Sequence, residues 1–234
     1  QTFMYDAKRL VKEQISFFRK QKFGSFQANL AMEGGGLLQG DLNNVDLYAT
    51  EGIVYLSLLH NEDNALGGSA TDSDESGLTQ FGIKVIRRCN ELNVFVDISH
   101  ASDTTGHDAL VVSEKPVIAS HSGCRALVDH PRNLTNSLIR GIAASGGLIG
   151  VPFVRKFIGN KKQNIAQHID YIVQLVGINY VAIGSDIDGA CLVDGVDIYN
   201  WEHTIMEELM CLGYTLENIN SVMGDNFARL LGQS

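Results

Sequence analysis

The chain has no Cys-x-x-Cys pair, no long apolar run and no surplus of positive charge. Its four cysteines, Cys89, Cys124, Cys191 and Cys211, are scattered. That excludes a zinc-knuckle spacing and leaves the thiols as reduced packing residues. No stretch approaches the ~18 apolar residues that read as a membrane-crossing helix. No basic segment followed by an apolar one of secretory type opens the sequence, so a cytoplasmic location is expected over secretion. Lys and Arg number 18 against 27 Asp and Glu, a net charge of −9. Such a balance disfavours nucleic acid as a partner, because phosphate binding needs a basic face. The early basic residues Lys8, Arg9, Lys12, Arg19, Lys20 and Lys22 read as the solvated face of an amphipathic helix in "QTFMYDAKRLVKEQISFFRK". No repeat, low-complexity tract or linker divides the 234 residues, so one domain over 1–234 is expected.

What is present is a substantial core composition, 44% apolar and 19% charged. Six short apolar runs stand out: 26–33, 52–60, 93–100, 115–122, 146–154 and 179–189. Most are rich in Val and Ile without strict polar alternation, the pattern of strands buried on both faces of a parallel sheet. Helical patterns lie between them. Leu78, Phe81, Val85, Cys89 and Leu92 share one face, and so do Ile165, Ile169, Ile172, Val173 and Val176. Thr135 is placed to cap a helix that buries Leu138, Ile139 and Ile142 and stops at Gly146–Gly147. A last helix runs from Thr215 through Ile219, Val222, Met223, Phe227 and Leu230. Strand and helix alternate, which predicts an α/β fold with a parallel sheet. The one long loop is the polar stretch 61–77, whose acids Asp63, Asp72, Asp74 and Glu75 need be no more than solvated.

The polar residues are informative by position. The apolar runs end on Glu33, His60, His100, His121 and Asp186. In a (β/α)8 barrel the C-terminal ends of all strands converge on one rim, where active sites form. One strand-terminal histidine is more often a rim residue with a single hydrogen bond than a ligand. Five of six runs ending on metal-binding or proton-transferring groups favour a metal site. His107, His130, His168 and His203 fall in loops or helices and read as surface or outlying residues.

"EGG" at 33–35, "LSLLHNEDN" at 56–64, "VDISHAS" at 96–102, "IASHSGCRAL" at 118–127, "HPRNLT" at 130–135 and "AIGSDIDG" at 182–189 occur in one order along the chain. In that order the sequence resembles the membrane (renal-type) dipeptidases, zinc peptidases of the amidohydrolase-like barrel superfamily. The resemblance implies a (β/α)8 TIM-like barrel, of which the six runs are strands three to eight. It implies two zinc ions, bridged by Glu33, with His100 and His121 completing one metal position. His60 then faces the substrate carbonyl and stabilises the oxyanion. Arg132 pairs with the carboxylate of a dipeptide, and Asp186 moves the proton between water and leaving amine, ahead of Asp188. Two metals can hold a hydroxide at neutral pH and polarise a carbonyl, and an arginine fork suits a planar carboxylate. Pairing of two chains is a further expectation of the resemblance.

The sequence departs from the family at its start, where the His-x-Asp pair of the first barrel strand supplies the other metal position. The only His-x-Asp here is "HID" at 168–170, in a helical pattern. Six strands leave an eight-stranded barrel with open edges. A longer protein, strands from another chain, or a relative with an incomplete metal site each account for this. A different metal-dependent amidase or lactonase, which would leave Arg132 idle, and a catalytically dead relative are the alternatives to a dipeptidase.

Overall fold

The structure is a computed structural model that describes residues 7–24, 27–72 and 76–232. Phe26, Asp74 and Glu75, included in the readings above, lie outside the described residues. Helix α1 (Ala7–Lys20) leads into strand β1 (Leu30–Glu33). Then follow α2 (Asn43–Thr50), β2 (Ile53–Ser57), α3 (Gln80–Glu91), β3 (Phe95–Asp97), α4 (Asp103–Val112), β4 (Val117–Ile118) and α5 (Asn136–Ala144). After β5 (Ile149–Val151) come α6 (Arg155–Ile158), α7 (Gln163–Val176), β6 (Val181–Ile183), α8 (Trp201–Cys211), α9 (Leu216–Asn220) and α10 (Asn226–Leu230). Threonine and serine caps set several helix starts. The hydroxyls of Thr79, Ser102, Thr135 and Thr215 accept backbone N–H bonds from Gly82, Thr105, Leu138 and Asn218.

β1 to β4 form a parallel four-stranded sheet in chain order, and β5 and β6 a parallel pair. A parallel bridge between Ala119 and Ile149 joins the two, so the strands make one continuous series. Sequential parallel strands, each returning through a helix, have the winding of a TIM-like barrel. Among the described residues no pairing joins β6 to β1.

The pleat separates two cores. Leu56, Val96, Val117, Ile149 and Val181 point outward into the main cluster beneath the helices. Tyr55, Phe95, Ile118, Leu148 and Ala182 belong to a small inner cluster, with Phe227 and Leu230 from α10. The predicted last helix is broken in its middle by a π turn at Ser221–Asp225. Val222 packs in the outer cluster and Phe227 in the inner one, and the extra residue of a π turn rotates the face between them.

Candidate metal centre and active site

Glu33, Ser57, Asp97 and Ile118 stand opposite one another across β1 to β4. His60, His100 and His121 each lie three residues beyond that rung, so the register itself gathers them on the C-terminal rim. Glu33 Oε1 is 3.0 Å from His100 Nε2 and 3.3 Å from His121 Nε2, and the two imidazole nitrogens are 2.9 Å apart. His60 is the more exposed neighbour, its Nε2 4.0 Å from Glu33 Oε1 and its ring centroid 4.6 Å from that of His100. His100 and Asp186 have left-handed backbone, φ 69 and 51, two of four such non-glycine residues among those described. Non-glycine residues in this region cost energy and cluster at functional sites.

Behind His121 lies a hydrogen-bond network centred on Asp97. This fully buried carboxylate accepts from Ser57 Oγ, from the backbone N–H of Ser99 at 2.9 Å, and from Ser120 through N–H at 2.8 Å and Oγ at 2.6 Å. Ser120 has one hydroxyl proton, and it goes to Asp97. The 2.8 Å contact with His121 Nδ1 is therefore one in which Nδ1–H donates. The lone pair of His121 is left on Nε2, aimed at the Glu33 carboxylate. Two acceptors facing each other at that range repel unless a cation lies between them. The three donor atoms lie within 4.8 Å of one another. A carboxylate oxygen and two imidazole nitrogens form the donor set of zinc and similar divalent ions. An ordered second layer that fixes the tautomer is usual behind metal-binding histidines. The residues present thus fit a metal ion.

The electrostatics agree. The close approach of His100 and His121 holds the Glu33 carboxyl far below the usual range, against the opposing effect of burial. Burial pulls His100 down to about 4, which keeps its ring neutral. Asp186 is pushed up, mainly by burial and further by Glu33, with His121, Arg132 and His60 opposing. Asp186, Glu33 and His121 line one cavity of about 510 Å³, together with inner-cluster residues such as Tyr55 and Ile118. Asp188 is exposed, on the far side of the turn in which Gly189 N–H donates to Asp186 O. A Cβ on Gly189 would meet the Asp186 carboxylate at 2.0 Å, so glycine leaves room for that side chain.

Arg132 is only 4% exposed. Among the described residues no carboxylate pairs with it, and its Nε and Nη2 have no hydrogen-bond partner. Its Cζ lies over the Phe157 ring, 5.1 Å from the centroid. Burial lowers its pKa to about 10, with Asp97, Asp186 and Glu33 opposing, so it stays charged.

The sequence reading missed Ser120, which contacts His121, Asp97, which holds Ser120, and Asn133, which follows Arg132. Its available signal was Asp97 itself, an acid inside the run "VFVDISH". His168 is buried in α7, its Nδ1 accepting the Cys124 N–H at 2.9 Å. Only Cys89 and Cys124 are packing residues; Cys191, after the turn at 187–189, and Cys211, at the end of α8, are exposed. Asp63 does more than meet solvent, since its carboxylate accepts the Ser69 N–H at 2.6 Å and its N–H donates to Asp72 at 3.1 Å. No helix among the described residues is long and apolar enough to cross a membrane.

A parallel barrel wall with a histidine and carboxylate centre at its strand ends defines a class of metal-binding TIM-like proteins. Within it, the chain belongs to the membrane dipeptidase family (peptidase family M19), whose model matches residues 6–234. It is 31% identical over 186 residues to dipeptidase verJ of Clonostachys rogersoniana, covering 77% of this chain and 48% of that protein. It is 32% identical over 230 residues to an uncharacterized dipeptidase of Schizosaccharomyces pombe, covering 92% and 54%. The chain thus spans about half the length of the curated relatives it matches. A metallo peptidase from Rhodobacter sphaeroides, solved with a phosphinate mimic of the dipeptide L-Ala-D-Ala, superposes with a TM-score of 0.80 at 25% identity, over 87% of this chain and 62% of that one. The probable dipeptidase PvdM of Pseudomonas aeruginosa gives 0.81 at 24%, over 87% and 68%, and supports the barrel fold.

Proposed function

We propose that the chain is a zinc-dependent dipeptidase acting on dipeptides with a free C-terminal carboxylate, its residues forming a single barrel domain. The observation that carries this is Arg132, a buried guanidinium with unpaired N–H groups beside a cluster of metal donors. A buried charge without a partner is costly. An incoming carboxylate offers the planar, bidentate partner that an arginine fork matches.

Glu33, His100 and His121 are the residues that would hold zinc. When bound there, zinc supplies Lewis acidity toward the scissile carbonyl. The remaining roles belong to side chains. Arg132 fixes the C-terminal end of the substrate. His60, on the exposed side of Glu33, donates a hydrogen bond to the carbonyl oxygen as negative charge develops there. Asp186 takes a proton from the attacking water and returns it to the departing amine. A carboxyl held above its usual range by burial suits that exchange.

The test compares hydrolysis of a dipeptide with that of its C-terminal amide, for the chain and for Asp186→Asn. We expect a strong preference for the free carboxylate. In the variant kcat should fall about 10²- to 10⁴-fold, the span of a general acid–base group, with zinc content unchanged. Equal turnover of acid and amide, or an active Asp186→Asn, contradicts the reading.

A further inference from the structure

We propose that Arg125 and Asn133 are positioning residues that hold Arg132 in place and so set the preference for a free carboxylate. The inference rests on the role of Arg132 given above. Among the described residues no polar partner holds Nε or Nη2 of Arg132, both of which are buried. Its placement must come from its backbone and from the surfaces around it, because a free arginine side chain samples many rotamers.

The backbone is clamped on both sides. Arg125 donates through Nη2 to the Pro131 carbonyl at 3.0 Å and through Nε to the Asn133 carbonyl at 3.0 Å. These are the residues that flank Arg132. Arg125 is itself anchored by a two-point pair with Asp103, the first residue of α4, with Nη2 2.9 Å from Oδ1. Only a guanidinium can reach both carbonyls and a carboxylate at once.

Asn133 works from inside the loop. It is 1% exposed, and its side chain makes three hydrogen bonds, to Gly123, Val128 and Phe157. Oδ1 accepts the Gly123 N–H at 3.1 Å, and Nδ2 donates to Val128 O at 2.8 Å and Phe157 O at 2.7 Å. Gly123 follows His121 by two residues, and Phe157 supplies the ring that covers the Arg132 guanidinium. One amide therefore joins the turn after His121, the arm bearing Arg132 and the aromatic cap. The fit is close, for a Cβ on Gly123 would lie 2.5 Å from Asn133 Oδ1.

A displacement of about 1 Å in such a group costs on the order of a hundredfold in rate. The test uses the full chain with Arg125→Lys, which keeps the charge beside Asp103 but lacks the fork, and Asn133→Ala. Two readouts are taken: the dissociation constant of a dipeptide amide divided by that of the dipeptide, and the solvent exchange of the Arg132 Nε–H resonance, assigned through Arg132→Lys. We expect the ratio to fall about tenfold in Arg125→Lys and more in Asn133→Ala, with faster Nε–H exchange and unchanged zinc content. Unchanged exchange and ratio in Arg125→Lys overturn the proposal. So does equal weakening of both ligands accompanied only by a lower Tm. A parent chain with no carboxylate preference defeats the functional reading instead, while Nε–H exchange still decides whether Arg132 is positioned by Arg125 and Asn133.

Discussion

The loop after β4 carries both His121 and Arg132, and these two side chains are held in opposite ways. His121 is gripped through Nδ1 by Ser120, and Ser120 by Asp97, so the ring has little freedom left. Arg132 has its backbone fixed and its charged tip unpaired. On the proposed function, the difference reflects what each would meet. A metal donor needs its lone pair aimed before the ion arrives, and a partner on the opposite nitrogen does that. A carboxylate-binding guanidinium needs open N–H groups, and a permanent partner would compete with the substrate. Burial without pairing makes the free state less comfortable, and a substrate relieves it.

The sharpest way to break this comparison is Arg132→Met. It removes the unpaired charge but keeps much of the stem. Loss of a buried charge partner costs about 2–5 kcal/mol in binding, so KM for a dipeptide should rise at least ~30-fold. The melting temperature of the ligand-free chain should rise by a few degrees at the same time, as expected when an active site carries an unfavourable buried charge. Steady-state kinetics and a thermal melt on one preparation decide it. A lower Tm would mean that Arg132 has a stabilising partner in the free state.

The next effect concerns the gripped side. Asp97→Asn offers an amide where the carboxylate took four bonds, so Ser120 loses its fixed direction. Outer partners of this kind typically account for 10- to 100-fold in metal affinity. Zinc affinity measured by competition with a chelator should fall by about that factor, with the carboxylate-to-amide ratio preserved. A fall in the ratio alone would place Asp97 on the arginine side.

The smallest effect is on stability. His168 is buried and neutral, its pKa pulled down to about 4 by burial. In the unfolded chain a histidine titrates near 6.5. The unfolded state therefore binds more protons between those values, and stability falls as pH drops from about 6.5 toward 4. This contributes up to about 3 kcal/mol at the acid end. His168→Gln, which keeps a side-chain acceptor for the Cys124 N–H, should flatten that part of the profile in urea titrations. An unchanged acid slope would show that other groups dominate it.

Much of this was legible from residue order. Val- and Ile-rich runs marked each strand, although paired strands are shorter than the runs. Leu58, Leu59 and Ile98 are buried beyond the strand ends without belonging to a strand, so hydrophobicity overstates the length of pairing. Glu33, His100 and His121 were readable as strand-terminal donors, and the register brings them together as the spacing suggested. Asp97 was not, because an acid in a strand reads as a surface residue until its face is known. Nor were Arg125 and Asn133, whose links to the Arg132 loop run through backbone carbonyls and N–H groups that no side-chain pattern records. The π turn at Ser221–Asp225 was hidden because the apolar spacing on both sides of it still looks helical.

The most direct test of the central claim is zinc uptake by the purified chain, compared with that of His121→Ala and monitored by elemental analysis on samples of verified mass. The account predicts stoichiometric zinc on the parent chain, reduced by roughly a thousandfold in affinity in the variant, beyond the 10- to 100-fold of an outer-shell change. Equal zinc uptake by both would contradict it, since Glu33, His100 and His121 could not then be the metal centre.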